Sequence, residues 1–62
     1  MIRMEWLSEE RLAALEQIVS GKVYSVYYDP IRRTYDVGFE RDNRLQQEEV
    51  SVDRVEEALR KE

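Results

Sequence analysis

The sequence contains no cysteine and no histidine, and these two absences exclude several kinds of chemistry. Without cysteine, the chain can form neither a disulfide framework nor a thiolate zinc site. Without histidine, it lacks the commonest metal ligand, and it cannot assemble a Ser–His or Cys–His nucleophile. The sequence therefore predicts no cofactor and no metal site built on these ligands.

Long apolar stretches are missing too. No apolar run approaches the roughly 20 residues of a membrane-spanning helix. The first residues do not have the apolar centre and cleavage site of a signal peptide. We therefore expect a cytoplasmic protein that has no membrane partner.

Size and charge limit the remaining possibilities. The 62 residues predict a single domain, residues 1–62, near the lower size limit for independent folding. A core this small rarely supplies more than about 3–5 kcal/mol without a disulfide, a metal or a partner chain. The 14 acidic and 10 basic residues give a net charge of −4, which argues against a general nucleic-acid or anionic-membrane binder.

Most of the aromatic residues that are present lie in residues 22–41, which predict a β-hairpin. Residues 22–28 and 34–41 are rich in the β-branched and aromatic side chains that suit strands. Residues 29–33 supply a turn, since Asp29 can accept hydrogen bonds from nearby amides and Pro30 presets φ.

The hydrophobic pattern also predicts the register of this hairpin, since a slip of one residue would turn every side chain to the other face. Six side chains share one face in the favoured pairing: Tyr28 with Tyr35, Val26 with Val37, and Tyr24 with Phe39. The opposite face then carries polar residues together with Val23 and Tyr27. Gly38, inside the second strand, indicates a bulge or the close approach of another backbone.

An amphipathic helix is predicted before the hairpin, from about residue 9 to residue 20. Ser8 has the chemistry of an N-cap, and Leu7 can pack onto Leu12 as a hydrophobic staple. Gly21 follows the last apolar turn, where a residue in the left-handed conformation commonly ends a helix.

After the hairpin, we expect a turn at residues 41–43, which would place Leu45 beside Phe39 on the core side. Residues 46–49 have weak strand propensity, so a third strand is expected to be short or irregular. A last helix begins near residue 51, with either Ser51 or Asp53 as its N-cap.

Residues 1–6 alternate apolar and polar side chains, which suits either a short edge strand or an arm whose Trp6 docks on the core. The predicted fold is therefore α+β, with an antiparallel hairpin or small three-stranded sheet flanked by two helices. Its element order is (β)-α-β-β-(β)-α.

The start of the last helix is acidic, reading Asp53-Arg54-Val55-Glu56-Glu57. The order helix–strand–strand–strand–helix resembles that of the double-stranded-RNA-binding domain, which uses a basic cluster at this point to reach phosphates. The acidic sequence found here argues against direct nucleic-acid binding.

Catalysis by a pair of carboxylates is not expected. Asp36 and Glu40 would point to the same side of a strand, but four residues at roughly 3.3 Å each separate them by about 13 Å. That separation exceeds the ~6.5–9.5 Å that inverting glycosidases use. No glycine-rich phosphate loop and no calcium-loop spacing is present. We therefore do not expect an enzyme.

The remaining hypothesis is a non-enzymatic protein-interaction module that forms a homodimer and binds a further protein. An unpaired strand edge or an apolar sheet face would supply the contact. The candidate interface residues are Trp6, Val23, Tyr27, Arg32 and Arg33.

Two alternatives stay open. One is an acidic inhibitor that imitates nucleic acid and blocks a nucleic-acid-binding enzyme, through a band formed by Glu48, Glu49, Asp53, Glu56 and Glu57. The other is a designed protein without a biological function, although the irregular turn at residues 29–33 and the mid-strand Gly38 look less idealised than most designs.

Overall fold

A computed structural model describes residues 7–61, which form two helices and three strands. In chain order the elements are α1 (Glu9–Val19), β1 (Lys22–Asp29), β2 (Thr34–Arg41), β3 (Arg44–Ser51) and α2 (Val52–Arg60). The strands form one antiparallel sheet with β2 at its centre, which confirms the predicted α+β class. The strand considered for residues 1–6 lies outside the described residues. Within residues 7–61, no helix is long and apolar enough to cross a membrane.

Both helices pack against the same face of the sheet. We call this face, which carries Val26, Val37 and Val50, the inner face, and the opposite one the outer face. Leu15 of α1 and Val55 of α2 are completely buried in the same apolar cluster as these valines. Burying a side chain of this size contributes about 1.5–3 kcal/mol relative to leaving it exposed, so this cluster is the main source of stability.

The start of α1 follows the prediction, but its end does not. The Ser8 hydroxyl accepts a hydrogen bond from the Arg11 backbone N–H, and Leu7 is buried. The residue in the left-handed conformation is Ser20, with φ of 56°, and not Gly21. Gly21 is required for a different reason, because a Cβ there would lie 2.7 Å from the carbonyl oxygen of Glu40 in β2.

The register of β1 and β2 is partly as predicted. Two pairs are confirmed: Tyr28 with Tyr35, and Val26 with Val37. The pairing of Tyr24 with Phe39 is wrong, because a β-bulge between Val23 and Ser25 inserts an extra residue. That insertion reverses the alternation of side chains, so Val23 pairs with Phe39 and is 6% exposed. The placement of Val23 on an accessible face is therefore corrected.

The third strand also differs from the prediction, since β3 has eight residues and pairs with β2 along its length. Asp42 and Asn43, with φ of 55° and 61°, form a two-residue turn in place of the three-residue turn expected. Positive φ at both positions matches the twist of the strands. Leu45 consequently pairs with Glu40 on the outer face, and not with Phe39 in the core.

Of the two N-caps considered for α2, Ser51 is the one used. Its hydroxyl accepts a hydrogen bond from the Arg54 backbone N–H at 3.2 Å. Val50 and Val55, on either side of this cap, are both buried, as a hydrophobic staple requires. The cap and the staple together position α2 directly after β3.

An ion pair between Arg11 and Glu56 joins the two helices. The hydrogen bond that Nη1 of Arg11 donates to Oε1 of Glu56 raises the pKa of Arg11 above its ordinary, already high value. Because both side chains are partly exposed, we expect this pair to contribute no more than about 1 kcal/mol.

Candidate functional site

The outer face of the sheet is the surface that α1 and α2 leave uncovered. Tyr27 is 71% exposed there, Leu45 is 72% exposed and Tyr24 is 48% exposed. Single exposed apolar residues are normal on protein surfaces, but three large ones on one small sheet face are a candidate interaction surface.

The strand register arranges the outer face in rows that run across the sheet, because directly opposed residues point to the same side. From the hairpin tip, three successive rows read Tyr27–Asp36–Glu49, Ser25–Gly38–Gln47 and Lys22–Glu40–Leu45. The middle residue of each row belongs to β2. The outer face therefore has an acidic residue above and below a central glycine.

Tyr24 covers that glycine. A Cβ built on Gly38 would lie 3.0 Å from Cζ of Tyr24, 3.1 Å from its hydroxyl oxygen and 2.5 Å from Oγ of Ser25. The bulge in β1 turns Tyr24 to the outer face, and the missing side chain at Gly38 leaves room for its ring. Along β2, the outer face thus presents a carboxylate at Asp36, an aromatic ring over Gly38 and a second carboxylate at Glu40.

Basic residues offset only part of the negative charge on the outer face. Asp36 and Glu49 are directly opposed in the register, an arrangement of like charges that is unfavourable by itself. Arg32 offsets it, since its Nη2 donates to Oε1 of Glu49 at 2.8 Å. Within residues 7–61, neither Asp36 nor Glu40 forms an ion pair. Both of these carboxylates belong to β2, so the central strand of the outer face carries negative charge that no ion pair within residues 7–61 offsets.

The loop between β1 and β2 is held by specific hydrogen bonds. Oδ1 of Asp29 accepts from the backbone N–H groups of Ile31 at 3.0 Å and Arg32 at 3.2 Å. Arg33 adopts a φ of 54°, and its carbonyl accepts a hydrogen bond from the Val52 N–H. These contacts hold Ile31, which is 92% exposed, at the hairpin tip.

The predicted interface residues are only partly brought together. Tyr27 lies on the outer face, and Arg32 reaches the same face through Glu49. Arg33 lies at the tip and pairs with Asp53 at 3.6 Å. Val23 is buried, and Trp6 lies outside the described residues.

Sequence reasoning missed Tyr24 and Leu45 as outer-face residues. The sequence pattern places both in the core, because strict alternation of side chains takes no account of the bulge in β1 or of the two-residue turn before β3. Gly38 was the available signal for the first error, and the Asp42-Asn43 pair for the second.

The residues of the predicted acidic band do not form one negative surface. Four of them have basic partners: Glu49 with Arg32, Asp53 with Arg33, Glu56 with Arg11 and Glu57 with Lys61. Glu48 belongs to the inner-face register of β3, opposite Val37, while Glu49 belongs to the outer face. The band is therefore divided between two faces and interrupted by positive charge.

The rest of the described chain offers little for a small ligand. Within residues 7–61, no three acidic side chains are close enough to hold a metal ion. An open cavity between the helices, lined by Ile18 and Ala58 together with charged side chains, has a volume of about 240 Å³. Ligand pockets usually enclose about 300–1,000 Å³, so this depression is small and poorly enclosed.

Comparison with known proteins adds no assignment to this geometry. No family model matches the chain, and no significant match was found among curated proteins or solved structures. The candidate site is therefore defined by its own residues: Tyr24, Tyr27, Asp36, Glu40 and Leu45.

Proposed function

We propose that this chain is a non-enzymatic protein-interaction module that binds its partner through the outer face of the sheet. The observation that carries the proposal is the exposure of Tyr24, Tyr27 and Leu45 on the one sheet face left uncovered by both helices. Tyrosine is enriched at protein interfaces because it combines a large apolar surface with a hydroxyl group that can form hydrogen bonds.

The edges of the sheet suit a partner less well than the face does. In β1 the bulge interrupts the regular ladder, and Oε2 of Glu16 accepts a hydrogen bond from the Val23 N–H at 3.0 Å. In β3 most side chains are polar or charged. Bulges, charges and covered backbone groups are devices that protect sheet edges from pairing with another strand.

The composition of the chain argues against catalysis. A chain without histidine and cysteine cannot form the common nucleophile–base pairs. The outer-face carboxylates Asp36 and Glu40 are four residues apart on one strand, a separation of about 13 Å. A binding role needs neither a nucleophile nor a closely spaced acid pair.

Self-association is the second candidate, because a domain of 62 residues has a small core and a second copy could cover its apolar face. The geometry supports it less well, since face-to-face packing would bring the carboxylates of two copies together. The homodimer stays a prediction, as do the acidic inhibitor, the designed origin and the cytoplasmic location. Light scattering over a concentration series tests the homodimer by looking for twice the 7.5 kDa chain mass.

Selection of binders from a random peptide library displayed on phage tests the proposed surface. The immobilised, folded domain is the bait, and the selected peptides are then measured against two variants. Tyr27→Ser should weaken most binders about tenfold or more, because it removes an aromatic anchor from the outer face. Ile31→Ser, which changes an exposed apolar residue at the hairpin tip, should change the affinities less than about twofold. Binders that tolerate Tyr27→Ser would contradict the proposal.

A further inference from the structure

We propose that the outer face binds an extended, basic segment of its partner, with cationic side chains placed against Asp36 and Glu40. This inference rests on the proposed function, because it names the chemistry of the partner for the same face. It is carried by the charge and spacing of these two carboxylates on β2, together with the two tyrosines beside them on β1.

The first support is complementary charge. Asp36 and Glu40 form no ion pair with any residue among 7–61, although basic residues lie nearby. Lys22 is opposite Glu40 in the register, and Arg32 is engaged with Glu49. Both of these outer-face carboxylates lie on the central strand, where a segment lying along β2 would reach them.

The second support is spacing. Asp36 and Glu40 are four residues apart on the same face of β2, which corresponds to about 13 Å. An extended peptide covers the same distance in four residues, and its side chains at positions i and i+4 point the same way. A segment with cations at these positions therefore matches the two carboxylates, and its residue i+2 lies over the Tyr24 ring.

The third support is the position of the aromatic rings. Tyr27 is directly opposite Asp36, so one guanidinium could stack on the ring and pair with the carboxylate. The ring of Tyr24, over Gly38, lies between the two acidic positions. The chain itself contains a comparable contact on its inner face, where the Arg41 guanidinium carbon lies 5.3 Å from the centroid of the Phe39 ring.

Size favours a segment over a second copy of this chain. Three strands of eight residues present a face of roughly 14 by 26 Å, or on the order of 400 Å². Two such faces would bury about 800 Å² in total, below the ~1,200–2,000 Å² of a stable protein–protein interface. The like charges at Asp36 and Glu40 would oppose that packing as well. An extended peptide needs only one face, and a positive charge makes it complementary.

The test is an NMR titration of the 15N-labelled domain with synthetic peptides. The probe is a nine-residue peptide of threonine and valine with arginine at its third and seventh positions, and the control carries glutamate at those positions. The arginine peptide should produce saturable shifts in the amides of residues 36–40 and in Tyr24 and Tyr27. The glutamate peptide should produce none.

Two double variants with the same change of net charge make the test specific. Asp36→Asn with Glu40→Gln should weaken the arginine peptide at least about tenfold, because it removes both proposed contacts. Glu9→Gln with Glu10→Gln, in the exposed first turn of α1, should change the affinity less than about twofold. An equal loss of affinity for the arginine peptide in the two double variants would show that only net charge matters, and would overturn the inference.

The outcomes also separate this inference from the proposed function. If library binders depend on Tyr27 but are not enriched in arginine or lysine, and the arginine peptide does not bind, the face is an interaction surface with a different partner. If outer-face resonances shift with protein concentration alone, the occupant is a second copy. Either result overturns the basic segment and leaves the outer face as the interaction surface. Binders insensitive to Tyr27→Ser would overturn the proposed function itself.

Discussion

The ring of Tyr24 lies over Gly38 on the outer face, so close that a Cβ on Gly38 would be only 3.0 Å from Cζ of Tyr24. This contact exists because β1 carries one extra residue at its bulge, opposite a β2 residue that has no side chain. An irregularity of the backbone and a glycine in the adjacent strand thus combine to place an aromatic ring on the exposed side of the sheet.

Gly38→Ala should therefore destabilise the domain. The new methyl group would contact Oγ of Ser25 and the ring of Tyr24, and overpacking of this kind costs about 1–3 kcal/mol. The better strand propensity of alanine offsets about 0.5–1 kcal/mol of that loss. Urea denaturation measures the net change in the free energy of unfolding. A matched cycle with Ser25→Ala should recover part of the loss, and a Gly38→Ala variant as stable as the wild type would contradict the contact.

The end of α1 supplies a second prediction: substitutions at two adjacent positions should change the stability in opposite directions. Ser20→Gly should stabilise by about 0.5–1 kcal/mol, because Ser20 has a positive φ that favours glycine. Gly21→Ala should destabilise by about 1–3 kcal/mol, because its Cβ would meet the Glu40 carbonyl oxygen and the Phe39 ring. Thermal unfolding of the two variants checks both signs. If Gly21→Ala left the thermal stability unchanged, that result would contradict the close approach of Gly21 to β2.

The sequence pattern predicts an exposed Val23 and a buried Leu45, but in the structure Val23 is buried and Leu45 is exposed. Mutation can verify this. Val23→Ala should cost about 1–3 kcal/mol, because the side chain is buried beside Phe39. Leu45→Ala should stay within about 0.5 kcal/mol, because it truncates an exposed side chain. Chemical denaturation gives both values. A large loss at Leu45 with none at Val23 would restore the register expected from alternation.

These two residues show why part of the fold could be predicted and part could not. The caps at Ser8 and Ser51 depend on local chemistry, so the helix starts were correctly placed. The pairing of Val26 with Val37 followed from strict alternation around the hairpin loop. A bulge shifts that alternation by one residue. Gly38 indicates an irregularity but does not say which residue of β1 is inserted, so the pattern places Val23 and its neighbour Tyr24 on the wrong faces.

The same limits apply to predicting the candidate site from the sequence. Tyr27 was correctly assigned to the face opposite the core, because it lies between the hairpin loop and the bulge, where alternation holds. Leu45 depended on the length of the second turn, and both Asp42 and Asn43 are compatible with turns of two or three residues. The opposition of Asp36 and Glu49 required the register of β3, which weak strand propensity could not provide.

Glu16 supplies the last prediction, which concerns the edge of the sheet. Its carboxylate accepts a hydrogen bond from the Val23 N–H, at the edge of β1 that β2 does not occupy. Glu16→Ala should destabilise by about 1–3 kcal/mol, because a hydrogen bond to a charged group is lost and a partly buried N–H is left unpaired. It should also increase self-association, since an exposed strand edge can pair with another chain.

Denaturation and light scattering on the same samples separate these two effects. Glu16→Gln is the matched variant, because its amide oxygen can still accept from the Val23 N–H, so it should remain close to the wild type in both measurements. Gln17→Ala, at the exposed neighbouring position of α1, controls for changes in helix propensity. If Glu16→Ala lost stability while its mass stayed that of the wild type at every concentration, the carboxylate would anchor α1 to β1 without protecting the edge. The remaining protection would then come from the bulge, which interrupts the ladder whether or not the Val23 N–H is covered.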